Sequence, residues 1–348
     1  MRINKKIVSG ILISIILLIS SDISKAESNT PDLACIQPTS TPSDAGTLVL
    51  AAQTSSLTSI EWGIKQGCFK KYGLNVKTVP ITSATIGIAG VISGSYDLVA
   101  TIPTNLIQAK NNGGFDVKLI APRHGYSKEE LLRAKKEPLF PGQLLLQTAV
   151  IVPQDSKIKS WKDLDNKKIA ILTFQGDQHA GVLLAMQSEG VRKPKSEFLS
   201  MSSIQMADAL KNREVDAVVA IDPIATQLAL AGNRIIGYPQ AYFQEPDSAA
   251  VVFATSSEIL SKKTNSMRVF QKATLEINRL LNKSVNEASY RKTIADITKV
   301  SPEVAAKTRL PLMIEKNITI SQLAFIPSKL KKVGFMKGRI ELGPIIFR

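Results

Sequence analysis

Short polar segments follow the predicted strands of this chain, and together they could hold a small polar solute. In the first half they contain Gln53, Thr54, Ser55, Ser56, Ser83, Ala84, Thr85, Thr101 and Thr104, and in the second half Gln175, Gly176, Asp177, Gln178 and Asp222. Hydroxyl and backbone N–H groups beyond the carboxyl ends of strands can bind an anion or a polar ligand. Each Ser or Thr could equally be a helix N-cap, so the predicted ligand site depends on all the segments taken together.

The sequence contains none of the motifs that would indicate strong catalytic chemistry. G-x-S-x-G, H-E-x-x-H, the Walker loop and G-x-G-x-x-G are all absent. The only histidines, His124 and His179, are not paired at metal-ligand spacing, and two cysteines do not make a zinc site. We therefore predict a protein that is not an enzyme, with no catalytic residue, no metal and no cofactor.

The elements that would position these segments alternate between strand and helix. Apolar strands are predicted at 47–52, 76–80, 96–100 and 117–121, with helices at 57–69, 86–92 and 103–110. This alternation is typical of a mostly parallel sheet with helices on both faces. The charged, Pro-containing stretch 123–145 interrupts it and is predicted to be a surface excursion before a domain crossing.

A second α/β series follows, and it echoes the first. Strands are predicted at 149–152, 168–172, 197–201, 215–220 and 235–237, and residues 249–254 are expected to complete this second sheet. After residue 257 helical patterns dominate. Asp97 corresponds to Asp216, and Pro103 to Pro223 with one residue of slippage. This pseudo-repeat predicts an α/β protein of two lobes.

The N-terminus contains, in the order typical of a secretory signal peptide, a basic, an apolar and a small-residue segment. A basic start precedes a mostly apolar run at 7–19, and Ser24-Lys25-Ala26 offers a cleavage site near Ala26. Asp32, and the distance of Cys35 from the apolar run, argue against a lipid anchor, so we expect an exported, periplasmic protein. Residues 27–46 are rich in Ser, Thr, Pro and Asp and predict a flexible leader.

The cysteine and charge content of the chain bears on a possible disulfide and on whether the protein binds nucleic acid. Cys35 and Cys68 are the only cysteines, and in an oxidising compartment they could form one disulfide or remain two thiols. The formal net charge is +15, but the basic residues are dispersed and aromatic residues make up only 5% of the chain. This pattern favours a solvated basic surface over a nucleic-acid site.

Four segments, in order along the chain, resemble a known family. AVIVPQDSKIKSWKDLDNKKIAI at 149–171 is similar to the start of the second lobe in ABC-transporter solute-binding proteins for aliphatic sulfonates, taurine, nitrate and thiamine precursors. VDAVVAIDP at 215–223 resembles their Val-Asp-Ala…Trp-Asp-Pro segment, GSYD at 94–97 their first-lobe Gly-x-x-Asp, and GIKQGCFKKYGL at 63–74 their early helix. The similarity covers roughly residues 47–325.

The resemblance implies a two-lobed periplasmic-binding-protein fold of type II, with two crossovers between the lobes. Lobe 1 would comprise residues 47–145 and 257–348, and lobe 2 residues 146–256. It implies a monomer that captures a small polar solute, like an aliphatic sulfonate, taurine or nitrate, and delivers it to an ABC permease with its ATPase. The alternatives are a binder of a thiamine-pyrimidine precursor or other nitrogenous solute, and an enzyme on this fold similar to pyrimidine synthases.

Two departures from the family pattern bear on the solute. The family often has Gly-Ser-Ser after the second-lobe strand, but here Asp177 follows Gly176. A carboxylate would repel an anion unless it turned away to cap the helix. Ile221 stands where the family commonly has an aromatic residue. A neutral or amine-bearing solute is therefore a rival to a sulfonate.

Overall fold

A computed structural model describes residue 35, residues 42–137 and residues 143–348. The predicted signal peptide, its cleavage position and most of the predicted leader lie outside these ranges. Across the part of the chain that is described, none of the helices combines the length and apolar composition that a membrane crossing needs.

The described residues form strands and helices in alternation. The strands are β1 (Gly46–Ala52), β2 (Leu74–Pro80), β3 (Leu98–Thr101), β4 (Val117–Gly125), β5 (Thr148–Val152), β6 (Lys168–Ile171), β7 (Glu197–Ser200), β8 (Ala217–Ile221), β9 (Arg234–Gly237), β10 (Val251–Ser256) and β11 (Leu312–Met313). The helices are α1 (Thr54–Lys65), α2 (Ala84–Ile92), α3 (Pro103–Gly113), α4 (Lys128–Lys136), α5 (Asp177–Ser188), α6 (Ser203–Lys211), α7 (Ile224–Leu230), α8 (Gln240–Phe243), α9 (Ser257–Lys262), α10 (Thr264–Leu281), α11 (Glu287–Thr298), α12 (Pro302–Lys307) and α13 (Phe325–Lys332).

The first sheet has the strand order β11-β4-β10-β3-β1-β2. β1 is parallel to β2 and β3, whereas β10 runs antiparallel to β3 and β4. Leu48 and Leu50 are completely buried on β1 because helices cover the sheet. Phe270 and Ile277 of α10 share their core, so the helices after β10 pack on the first sheet.

The second sheet has the order β7-β6-β8-β5-β9. β6 is parallel to β7 and β8, and β5 is antiparallel to β8 and β9. The chain crosses between the sheets twice, from β4 to β5 and from β9 to β10. The predicted two-lobed α/β fold with two crossovers is therefore confirmed.

Two of the sequence-based predictions are wrong in detail. Residues 249–254 do not complete the second sheet, because β10 pairs with β3 and β4 and thereby belongs to the first. Residues 123–125 are not part of a surface excursion, since β4 continues through them and they are buried. Beyond them α4 begins at a capping box, in which Ser127 and Glu130 exchange hydrogen bonds with each other's backbone N–H groups.

The two aspartates of the pseudo-repeat make the same contact in each lobe. Asp97 Oδ2 accepts a hydrogen bond of 2.8 Å from the backbone N–H of Val49, and Asp216 Oδ2 accepts one of 2.8 Å from that of Lys168. Each carboxylate thus joins the turn before one strand to the neighbouring parallel strand, 48 residues earlier in the chain. The repeat seen in the sequence therefore reflects a repeated structural role.

Cys35 and Cys68 form a disulfide. Both are fully buried in the core that lies between α1, the first sheet and the C-terminal helices. The bond links the predicted leader to the turn that follows α1.

Candidate functional site

A cavity of about 100 Å³ lies where loops of the first sheet face loops of the second. That volume is sufficient for a small molecule. The segments after β1 and β3 line it from one side, and the segment after β6 with the start of α5 lines it from the other. This is the position where open α/β sheets commonly bind ligands, beyond the carboxyl ends of their strands.

Most of the residues predicted from the sequence line this cavity. They are Gln53, Ser55, Ser56, Ala84, Thr101, Gly176, Asp177, Gln178 and Asp222. Five predicted residues do not contribute to its wall, namely Thr54, Ser83, Thr85, Thr104 and Gln175. Thr54 and Thr85 point to solvent, whereas Thr104 is buried in the core.

The remaining two have local structural roles. The Ser83 side chain is the N-cap of α2, where it accepts a hydrogen bond from the backbone N–H of Ile86. The exposed Gln175 contributes its backbone instead: its carbonyl oxygen accepts a hydrogen bond of 3.0 Å from Gln108 Nε2 of α3. Because Gln108 belongs to the first lobe, this bond joins the two lobes beside the cavity.

Arg123 and Arg309 are cationic residues of the cavity wall that the sequence pattern did not predict, and Arg123 is the one without an acidic partner among the described residues. Its side chain is 5% exposed and lies at the end of β4. Nε donates to Ser59 Oγ at 3.2 Å, and Nη2 donates to Ser55 O and Thr58 Oγ1 at 3.1 Å and to the Tyr290 hydroxyl at 3.3 Å. Within the described residues no carboxylate pairs with it, so neutral groups alone compensate this buried charge.

His124 extends the same wall as a neutral imidazole. Burial, and next the positive charge of Arg123, hold the pKa of His124 well below its usual value. Arg123 Nη1 lies 2.8 Å from His124 Nδ1. Because a guanidinium can only donate, Nδ1 must be the acceptor and the ring proton is on Nε2. The first-lobe wall is therefore rich in hydrogen-bond donors.

Asp177 lies in the opposite wall as the first residue of α5, with Gly176 as the N-cap. Its side chain is 4% exposed, and Gln244 Nε2 donates to Oδ2 at 3.3 Å. Burial raises the pKa of Asp177 to about 6, against the smaller lowering effect of the backbone N–H of Gln178 and of neighbouring amides. The carboxylate thus faces the cavity without a cationic partner among the described residues.

Asp222 also lines the cavity, but its oxygens are committed to protein donors. Oδ1 accepts from the backbone N–H and the hydroxyl of Thr226 at 2.9 and 2.7 Å, and Oδ2 accepts from the backbone N–H of Arg309 at 2.7 Å. Burial raises the pKa of Asp222 to about 7 even so. Since Arg309 precedes β11 of the first sheet, Asp222 ties the second lobe to the first.

Three glutamines complete the acceptor character of the cavity. The amide oxygens of Gln147, Gln178 and Gln240 are buried and have no hydrogen-bond partner within the described residues. A buried amide oxygen without a donor is costly. One of these side chains lies beside Asp177, because the Gln240 amide donates toward its carboxylate.

Some of these residues carried a signal in the sequence and others did not. Arg123 and His124 follow a predicted strand, as the recognised loops do, and the same rule would have found them. Tyr290, Thr308 and Arg309 come from the C-terminal region, far from any of those strands. Only tertiary packing brings them to the cavity: α11 packs on α1 of the first lobe, and α12 packs on α11 and on α7. The described residues contain no group of three His, Cys, Asp or Glu side chains placed to hold a metal ion.

Comparisons with known proteins agree with this architecture. The family model described as NMT1/THI5 like matches residues 146–277. No curated protein sequence matches the chain.

Among solved structures, the alkanesulfonate-binding protein SsuA from Xanthomonas axonopodis pv. citri, bound to MOPS, is 16% identical with a TM-score of 0.70, over 90% of this chain and 100% of that chain. The periplasmic nitrate-binding protein NrtA from Synechocystis is 12% identical with a TM-score of 0.65, over 85% and 83%.

A Candida albicans protein, described as having the generic periplasmic binding protein fold, is 15% identical with a TM-score of 0.64, over 86% of this chain and 96% of its own. The fold and the matched family agree with the resemblance seen in the sequence. The chain has the periplasmic-binding-protein fold, and its residues 146–277 match the NMT1/THI5-like family.

Proposed function

We propose that this protein is the solute-binding component of an ABC importer, which captures a small polar solute between its lobes and delivers it to a membrane permease. The observation that carries the proposal is the cavity between the two sheets, whose walls come from both lobes and combine polar with apolar side chains. Two chain crossings join the lobes, a connection that permits hinge closure around a ligand.

Contacts between the lobes beside the cavity support closure as the working motion. Gln108 donates to the backbone of Gln175, and the His179 ring of α5 lies 4.6 Å from the Phe335 ring, centroid to centroid. Phe335 belongs to the C-terminal core that packs on the first sheet. A solute bound between the walls would add its own contacts to these and so favour the closed arrangement.

The lobe division predicted from the sequence remains part of this proposal, with one change. Residues 47–145 and 257–348 would move as lobe 1, and residues 146–256 as lobe 2. Because β10 is in the first sheet, we assign it to lobe 1 and place the second crossing before Val251.

The solutes that fit best are small and polar. The Arg123 guanidinium suits the acid group of an aliphatic sulfonate, taurine or a nitrate-like anion. The structural relatives named above as sulfonate- and nitrate-binding proteins support this class. Asp177 favours a solute that carries nitrogen, as the alternative of a thiamine-pyrimidine precursor or another nitrogenous compound would. The solute would leave the protein chemically unchanged.

The proposal extends to location and partners. The predicted signal peptide, cleaved near Ala26, would deliver a monomer to the periplasm. There it would meet an ABC permease with its ATPase, and the proposal involves no nucleic acid and no cofactor.

A thermal-shift screen of the mature chain against sulfonates, taurine, nitrate, thiamine precursors and amino acids tests the proposal. A specific solute at about 100 times its dissociation constant should stabilise the protein by about 2.7 kcal/mol. Small-angle X-ray scattering with that solute should show a smaller radius of gyration, and mass spectrometry should recover the solute intact. Failure of every compound to bind, or conversion of the bound compound, would contradict the proposal.

A further inference from the structure

We propose that the solute has two poles: an anionic or carbonyl group that binds Arg123 in the first lobe, and a cationic nitrogen that binds Asp177 in the second. This inference rests on the proposed function, because it specifies the chemistry of the solute that the same cavity would hold. The two side chains come from different sheets, Arg123 from the end of β4 and Asp177 from the start of α5. Both line the cavity.

Arg123 provides the pole that attracts an oxygen acceptor. Its guanidinium is buried, and every hydrogen-bond partner it has among the described residues is neutral. Nη1 carries two hydrogens but donates there only to His124, which leaves one N–H group for a solute oxygen. A desolvated cation gains more from an anionic or strongly polar oxygen than from hydroxyl groups. The N–H group of neutral His124, in the same wall, is a second donor for such an oxygen.

Asp177 provides the opposite pole. Its donors are all neutral: Gln244 Nε2 donates to Oδ2 at 3.3 Å, and the Gln240 amide and the backbone N–H of Gln178 lie close to the carboxylate. No lysine or arginine among the described residues pairs with it. Ser248 donates to Gln244 Oε1 at 2.9 Å, and this holds the amide with its N–H groups toward Asp177. A buried carboxylate whose donors are all neutral would be stabilised by a cationic donor in the cavity.

Asp222 is a weaker candidate for this pole, although it is equally buried. Its two oxygens already accept three hydrogen bonds from Thr226 and Arg309. These contacts give Asp222 a structural role, in which it starts α7 and links the lobes.

The unpartnered amide oxygens point to the same chemistry. That of Gln240 belongs to a side chain that donates toward Asp177, those of Gln147 and Gln178 line the same cavity, and an amide oxygen can only accept hydrogen bonds. A nitrogen that carries two or three N–H groups could satisfy the carboxylate together with such acceptors. A simple anion such as nitrate offers no donor and would leave all of them without a partner.

The placement of the poles has a consequence for closure. A bipolar solute would contact one charged residue in each lobe and thereby link them, whereas a solute with one pole would engage a single lobe. Affinity and lobe closure should therefore both require the two poles.

Isothermal titration calorimetry on the mature protein tests the inference with matched compounds. The probes are short ω-amino sulfonates and ω-amino carboxylates, each measured beside the analogue that lacks the amine and the analogue that lacks the acid. The wild-type protein should bind the best bipolar compound at least ~30-fold tighter than either one-pole analogue, because removing one partner of a buried charge pair is costly. Scattering should show compaction with the bipolar compound only.

The Asp177→Asn variant separates the outcomes. It should bind the bipolar compound no more tightly than wild-type protein binds the acid-only analogue, while its affinity for the acid-only analogue is retained. Asp208→Asn, an equal change of charge at an exposed position of α6, should behave as wild type. Equal binding of bipolar and acid-only compounds, or unchanged binding in Asp177→Asn, would overturn the inference and leave the proposed function standing. No binding by any probe would overturn the inference, and silence across the wider screen as well would overturn the proposed function.

Discussion

The Asp177→Asn substitution should make the solute-free protein more stable at neutral and alkaline pH. Burial raises the pKa of Asp177 from 3.8 to about 6, a difference of about 2.2 units. At 1.36 kcal/mol per unit, ionising this buried carboxyl costs the native state about 3 kcal/mol relative to the unfolded chain. Asparagine has the same shape, carries no charge and can still accept a hydrogen bond from Gln244.

The sign of the pH dependence follows from the direction of this pKa shift. The folded protein holds the Asp177 proton more tightly than the unfolded chain does, so the contribution of this group to stability falls as the pH rises from about 4 to about 6. The gain from the substitution should be about 3 kcal/mol near pH 8 and about 1.5 kcal/mol near pH 5. The other titratable and charged groups near the site, His124, His179, Asp222 and Arg123, are common to both proteins and largely cancel in the difference.

Urea unfolding followed by circular dichroism at the two pH values measures this gain. Asp208→Asn is the matched control, and as an exposed substitution it should change the free energy of unfolding by less than about 0.5 kcal/mol. A loss of stability in Asp177→Asn near pH 8, or a gain that is larger near pH 5, would refute the reasoning. Together with weaker solute binding, a gain is the pattern expected of a residue kept for function at the expense of stability.

Three further predictions concern the framework that holds the site. Thr226→Val removes the hydroxyl that donates to Asp222, so it should lower the free energy of unfolding by about 2 kcal/mol near pH 8, where Asp222 is ionised, and by less near pH 5. Equal losses in urea titrations at both pH values would contradict this. Gly181→Ala should lower the free energy of unfolding by more than about 2 kcal/mol, because the new Cβ would lie 2.4 Å from the Pro239 carbonyl oxygen. Gly113→Ala, whose Cβ would meet nothing within 4 Å, should raise it by up to about 1 kcal/mol. Similar unfolding midpoints for the two variants would argue against the close packing of α5. Reduction of the disulfide should lower stability by about 3.7 kcal/mol, the loop-closure entropy for residues 33 positions apart. An unchanged melting temperature in dithiothreitol would show that it contributes nothing.

The parts of the fold that depend on local pattern were predictable from the sequence. Alternating apolar strands and capped helices predicted most elements to within a few residues. The correspondence of Asp97 to Asp216 in the sequence revealed the repeat between the lobes. The prediction for β10 named the wrong sheet, because an apolar run of residues is equally compatible with a buried strand in either sheet. Only its pairing with β3 and β4, which are distant in sequence, decides the matter.

The candidate site was predictable on the same terms. Loops that follow strands were found from their polar residues, and Asp177 stood out as a departure from the family pattern. Arg123 was lost because the charged and Pro-containing residues after it suggested a surface segment, although β4 continues through it to Gly125. Tyr290 and Arg309 had no local signal, since Tyr290 reaches Arg123 from 167 residues later in the chain and Arg309 reaches Asp222 from 87 residues later.

A crystal structure of the mature chain with the best compound from the screen tests the central claim most directly. The account predicts the solute in the cavity between the two sheets, with an oxygen of the solute on Arg123 and a nitrogen on Asp177. A solute bound anywhere else on the protein, with the walls of this cavity uncontacted, would contradict it.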